Sequence, residues 1–442
     1  MLPIVRFFRK VRHATQLTNF ARRRRYLHSP HTSFTRRRPP TFPRTVSLIL
    51  DLARQTLALE LARFFDYQPQ RTVTKSAFCQ RRQLIKPTFF HDFFYRTVQL
   101  FYDCFPDHKR WKGKRLLAVD GTGQALPNFE PVGDYFGTHL NQHGARPSTR
   151  LLLTHDLLNN IIYRLDYHSQ QTAEITEAYQ NIAELPTDAV YIYDRHYASF
   201  ALAYLHDRRG SDYLIRMKTE GGSKLVDNFV QSAERELVAM IKLRPGRAAK
   251  KLCDLGLQPA TGRTFRVRLV RVELDDGTVE VLMTSLLDRL KYPHHVFKWL
   301  YGKRWGVETA IFTLKSFLQL ALISSNKPRG VEQDLWASFA FYNQQSALVQ
   351  ACEAEVERRT LHRRYRYQLN RNVTVGIVQH FIYQIYLADE ERWRARLQVL
   401  LRLLPDYTEA VRPDRHRPRE RRVLRMNNRH IHERNYRDAT AG

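Results

Sequence analysis

Cysteine is scarce, with four in 442 residues, and Cys79, Cys104, Cys253 and Cys352 stand far apart. No Cys-x2-Cys pair accompanies the lone His139-x3-His143 spacing, so neither a disulfide framework nor a structural zinc site is expected. The thiols read as reduced and mostly buried. No stretch approaches the ~20 apolar residues that a membrane helix needs, and the N-terminus lacks the apolar core of a secretory signal, so a cytoplasmic protein with no membrane partner is expected. Acids are also short: 43 Asp plus Glu stand against 72 Lys plus Arg, a formal charge of +29. Residues 1–50 contain no acid at all. Such a segment superficially matches an organellar transit peptide, but its arginines come in blocks, Arg22 to Arg25 and Arg36 to Arg38, which favours a basic arm. A polyanionic partner is the natural inference from this charge.

What is present supports packed domains, since 43% of the chain is hydrophobic. From Ser47 to Phe65, Leu48, Leu52, Leu59 and Ala62 fall on one helical face, and a second helical stretch covers 89–105. Residues 1–112 therefore read as a basic arm with a helical, nucleic-acid-binding domain. Short apolar runs follow at 115–121, 150–158, 161–168, 189–196 and 212–218, with a hairpin turn at Asn159-Asn160. Helical patterns at 172–185 and 199–207 separate the later ones. Three strands, a helix, a strand, a helix and a strand is the order of a ribonuclease-H-like α/β core, here assigned to 113–218. Residues 219–290, with alternating TFRVRLVRVEL, a turn at Asp275-Asp276-Gly277 and TVEVLMTSL, read as an inserted β subdomain. The core resumes over 291–353 in a helical pattern, and 354–442 is a basic helical region ending in a tail of about 25 residues.

Asp120 and Asp194 each close an apolar run, where a carboxylate emerges as the backbone turns away. Two such groups on adjacent strands can share hard, oxygen-preferring cations. Either aspartate alone reads more readily as the start of a turn. A third acid is offered by residues 298–320: at ~100° per residue, Tyr301, Arg304, Glu308 and Lys315 fall within a wedge of roughly 60° on one helix. Leu300, Val307, Ile311, Leu314 and Leu318 form an adjoining face that should pack on the sheet. Without the aspartates, the same stripe could be a solvated helix face with an Arg304–Glu308 pair.

The spacing Tyr301-x2-Arg304-x3-Glu308-x6-Lys315 resembles the signature of bacterial DDE-type insertion-sequence transposases of the insertion-sequence-four family. SFTRRRPPTFP (33–43), ELARFF (60–65), VTKSAFCQRRQ (73–83), DGTGQALPN (120–128), DRHYASF (194–200) and DYLIRMK (212–218) are similar to that family in the expected order. His196 and Tyr197 depart from the commonest wording around the second aspartate.

The resemblance implies a ribonuclease-H-like core with a β insertion before the glutamate. It implies metal-binding acids at Asp120, Asp194 and Glu308, and DNA-holding residues at Tyr301, Arg304 and Lys315. Two Mg²⁺ ions, with Mn²⁺ as a substitute, would serve phosphodiester cleavage and strand transfer on double-stranded transposon ends and target DNA. A homodimer on DNA is expected, because two ends must be brought together. Rival acids are Glu234 and Glu236 inside the insertion, and Asp156, Asp166, Glu174 and Glu177 between the two aspartates. The last four would suit a nuclease without strand transfer, and a DNA-binding relic is the non-enzymatic alternative. Trp299, Trp305 and Phe312 interleave with the cations and could stack on a base, though core packing is expected of at least two.

Overall fold

The computed structural model describes residues 2–16, 20–35, 39–51, 56–65, 73–141, 144–169, 172–243, 246–257, 259 and 262–412. Leu52, Arg36 to Arg38, His143 and the expected basic tail lie outside the described residues. The chain divides into two compact units, one of residues 1–108, 125–147 and 312–442, the other of residues 109–124 and 148–311.

The second unit is built on a mixed sheet. Its strands are β1 (Arg115–Ala125), β3 (Gly144–Asp156), β4 (Ile161–His168), β5 (Ala189–Tyr193), β6 (Asp212–Arg216), β7 (Glu236–Lys242), β8 (Thr264–Glu273) and β9 (Val279–Thr284). Short β2 (Thr138–Asn141) pairs with residues 144–147. The order runs β4-β3-β1-β5-β6-β9-β8-β7. β1, β5 and β6 are parallel, while β3–β4 and β6–β9–β8–β7 are antiparallel. The 157–160 loop joins β3 to β4, with Asn160 at φ 55°.

All five residues of β5 are buried, as befits a central parallel strand covered on both faces. Leu117, Val119, Tyr191, Tyr193, Tyr213 and Ile215 pack on one face beneath Ala178, Ala201, Leu202, Val226 and Phe229 of three helices. Their alternates Leu116, Val190, Ile192 and Leu214 pack on the other face with Phe297, Leu300 and Tyr301. Ser199 caps the Phe200–Arg209 helix through bonds from Ala201 N and Leu202 N, and Gly210 closes it in the left-handed region.

Residues 219–290 contribute strands that continue this same sheet: β9 pairs directly with β6, so the hairpin extends the sheet edge. The segment also carries helices Lys224–Gln231 and Arg247–Asp254.

The first unit is mainly helical. Where a basic arm was expected, Pro3–Gln16 is a helix that buries Ile4, Phe7, Phe8 and Val11. Arg12 on it is buried too, donating to Ile385 O at 2.8 Å and to Glu390 at 3.1 Å. The 47–65 helix is interrupted: Phe42–Asp51 and Leu57–Phe64 are separate, Thr56 is extended, and Leu59 is exposed. Thr88–Cys104 matches the second expected helix. The 33-residue helix Pro328–Thr360 is anchored by Arg82, fully buried, which bonds Asp334 at 2.7 Å, Gln333 at 3.0 Å and Ser324 at 2.8 Å. Cys104 and Cys352 are buried, but Cys253 is exposed, and no cysteine forms a disulfide. No helix among the described residues is long and apolar enough to cross a membrane.

Candidate active site

Strand register places the first two acids. β1 and β5 pair in parallel up to Val119 opposite Tyr193, and β5 and β6 up to Tyr193 opposite Ile215. The next residue on each strand is therefore Asp120, Asp194 and Arg216, side by side on strands spaced about 4.8 Å apart. Asp120 accepts from its neighbour Gly121 N at 3.0 Å. Asp194 caps the one-turn helix Arg195–Tyr197 through Arg195 N at 2.6 Å, and meets His196 Nδ1 at 3.2 Å.

The third acid arrives on a broken helix. Residues 298–320 do not form the single rod assumed above: helix Val296–Gly302 stops, Lys303 and Arg304 form a turn, helix Trp305–Phe312 begins, and Thr313–Phe317 is a π-helical turn. Gly302 weakens the first helix. Gly306 keeps the turn close to the β3–β4 loop, since a Cβ there would stand 2.8 Å from Leu157. The break leaves Arg304 only 7% exposed, with Nη2 2.9 Å from Glu308 and Nη1 4.0 Å from Asp120. Tyr301 is buried beside it, and neither its hydroxyl nor Arg304 Nε has a hydrogen-bond partner. Arg216 pairs with buried Glu280 at 3.0 Å.

The electrostatics follow from this packing. Burial pushes the Asp120 carboxyl up to about 6, against the pull of Arg304 and the Gly121 N–H, and Glu174 and Glu308 add to the rise. Burial works in the same sense on Asp194, but the Arg195 N–H, Arg304 and His196 outweigh it and hold that carboxyl below its ordinary value. Burial pushes the Tyr301 phenol up to about 12. Among the described residues no three ligand-type side chains converge on one point as they stand. The Arg304 guanidinium bridges Asp120 and Glu308 instead. The donors are all carboxylate oxygens, the set that hard divalent cations prefer.

Residues 111–344, more than half of the chain, match the family model of the transposase DDE domain. The chain belongs to that family. The transposase InsG of insertion sequence element IS4 from Escherichia coli (strain K12) is 25% identical over 275 residues, which cover 61% of this chain and 60% of that protein. The chain thus spans about 60% of the curated relative it matches. A solved synaptic complex of piggyBac transposase with hairpin DNA covers 90% of this chain and 85% of its own, at 10% identity and a TM-score of 0.42.

The resemblance read from the Tyr301-to-Lys315 spacing is therefore borne out at the level of the family, whose members generally use divalent metal ions. Within this transposase-family chain, Asp120, Asp194, Tyr301, Arg304 and Glu308 fall in one compact unit. Lys315 is exposed in the π-helical turn and belongs to the other. Core packing was expected of at least two of Trp299, Trp305 and Phe312, but all three are exposed, at 46%, 52% and 55%. Of the rival acids, Glu234 lies just before the edge strand β7 and Glu236 opens it, tied to Arg268 and Arg289. Asp166 is held by Arg164, and Asp156 caps its own loop. Glu174 is different: it approaches Gly121 and accepts from Tyr197. The sequence also gave no sign of Arg216 and Glu280, because their partnership depends on strand pairing across 64 residues.

Proposed function

We propose that this protein is a transposase that binds the terminal repeats of an insertion sequence, cuts the phosphodiester at each end, and joins the released 3′-hydroxyl to target DNA. The observation that carries this reading is the in-register placement of Asp120 beside Asp194, with Glu308 brought to Asp120 through one buried arginine. Asp120, Asp194 and Glu308 would hold two Mg²⁺ ions, or Mn²⁺ in their place, and such ions supply charge stabilisation to the attacking and leaving oxygens.

The chain's own residues do the rest. Tyr301 Oη and Arg304 Nε are buried donors with no partner, the state of groups that await a phosphate. Lys315 adds a cation for the DNA backbone, and the overall charge of +29 supplies salt-sensitive affinity for the double-stranded polymer. The order and directions of β4-β3-β1-β5-β6 support a ribonuclease-H-like core. Two ends must be held at once, which supports a homodimer assembled on DNA, working in the cytoplasm at the nucleoid.

The test is incubation of the protein with Mg²⁺ or Mn²⁺, a labelled duplex carrying the terminal repeat, and a supercoiled target, beside Asp120→Ala, Asp194→Ala and Glu308→Ala. Metal-dependent cleavage and joined products, lost in all three variants while duplex binding persists, are expected. Cleavage without joined products would make it a nuclease. Variants that cut as well as the parent would sink the site assignment.

A further inference from the structure

Glu174 stands between the Asp120–Gly121 segment of β1 and the turn that begins at Asp194. One oxygen accepts the Tyr197 hydroxyl at 3.0 Å. Tyr197, 1% exposed, ends the one-turn helix that Asp194 caps, and its own N–H donates to Asp194 O at 3.0 Å. The carboxylate also lies against Gly121, the residue after Asp120: a Cβ there would stand 2.3 Å from Glu174 Cδ. The Gly121 N–H in turn donates to Asp120 Oδ1. Arg150 Nε lies 3.8 Å from the other oxygen. One carboxylate on the Glu174–Asn181 helix thus touches the backbone beside the first acid and the anchor of the turn that holds the second.

We propose that Glu174 is a positioning residue: it locks the Asp120–Gly121 segment of β1 and the Asp194–Tyr197 turn together, so that both aspartates face one divalent cation. This rests on the reading of Asp120 and Asp194 as metal ligands. Glu174 does its work through an accepted hydrogen bond and a close contact, so an uncharged group of the same shape and acceptor strength should serve. Tyr197 acts through Glu174, so removing its hydroxyl should add nothing once the carboxylate is gone. Gly121 is needed because its bare Cα leaves room for the carboxylate while Tyr197 holds it.

The experiment is Mn²⁺ binding to the full chain, followed by the loss of the free-ion paramagnetic resonance signal, with thermal melting in parallel. Glu174→Ala and Tyr197→Phe should each weaken Mn²⁺ about tenfold, the size of effect usual for groups that orient metal ligands. Their double variant should match Glu174→Ala, and Glu174→Gln should retain nearly the parent affinity. Melting of Tyr197→Phe should stay close to the parent, which separates lost positioning from lost fold. Parent-like affinity in Glu174→Ala and Tyr197→Phe would overturn the proposal. So would a Glu174→Gln as weak as Glu174→Ala, since the charge itself would then matter and Glu174 would be a ligand. Asp120→Ala serves as the separate control: if it binds Mn²⁺ like the parent, the reading of the metal site fails and takes the proposal with it.

Discussion

Arg304 donates to Glu308 at 2.9 Å from a turn, with its side chain only 7% exposed. An exposed pair at this spacing would be worth ~0.3–0.5 kcal/mol, but a buried guanidinium that also lies 4.0 Å from Asp120 is the common counter-charge of two acids. Arg304→Ala should therefore cut end cleavage by about 100-fold or more, the cost of removing one preorganised donor. Arg304→Lys should recover little, because an ammonium cannot serve two carboxylates in a fixed fork. Single-turnover cleavage rates at saturating metal check both; a lysine variant near parental rate would refute the role.

The metal-free fold is strained electrostatically at Asp120. A carboxyl pushed up to about 6 favours its protonated form in the folded state, so its ionisation at neutral pH costs stability. Stability from this group is fully present below the ordinary carboxyl range and is lost as pH rises toward 6. Asp120→Asn should then raise the melting temperature of the metal-free protein at pH 7, by up to roughly 3 kcal/mol in stability, while abolishing cleavage. A variant that melts lower than the parent would show that the charge is compensated in the fold.

The same proton competes with metal. Asp120 must be ionised to ligate, whereas Asp194 already stays ionised below its ordinary range. Mn²⁺ affinity should be level above about pH 6.5 and fall below pH 6, by up to about tenfold per pH unit, as one proton is displaced on binding. Calorimetric titration in buffers of differing ionisation enthalpy would count that proton. Affinity unchanged down to pH 5 would contradict it.

Much of this site was legible because its parts are local signals. The runs reaching Asp120 and Asp194 announce buried strands, and both strands appear, but only Asp194 has the expected setting, just past the last residue of β5; β1 continues through Asp120 to Ala125, so no turn follows the first acid. The Tyr301-to-Lys315 spacing was legible too, but for a partly wrong physical reason: it assumed one ideal helix, and Gly302 and the π-helical turn break that helix into pieces. What was hidden depends on distant pairing. Glu174 is only one of four rival acids between the aspartates until the fold lays it on Gly121, and Arg12 reads as part of a basic arm until its helix buries Phe7 and Phe8.

In the helical unit, Arg82 is fully buried and its guanidinium is shared by Asp334, Gln333, Ser324 and Gly330 O. Asp334→Ala leaves that charge uncompensated, and an isolated buried charge costs about 3–5 kcal/mol. Arg82→Met with Asp334→Leu should cost much less, since it removes both charges and restores apolar volume. Chemical denaturation of the two variants decides; equal losses would mean that packing outweighs charge at this position.

The terminal segment 413–442 holds nine arginines against four acids. If these side chains meet phosphates, each contact displaces about one condensed counterion and steepens the dependence of log affinity on log salt by about 0.9. Removing 413–442 should therefore flatten that slope by several such steps and weaken binding to random duplex most at low salt. The proposed ligands Asp120, Asp194 and Glu308 lie elsewhere in the sequence, so cleavage per bound end should persist. Fluorescence anisotropy at a series of salt concentrations measures the slope. An unchanged slope would mean that the positive charge of this segment never reaches DNA, and would shift the electrostatic attraction to the cations of the described residues.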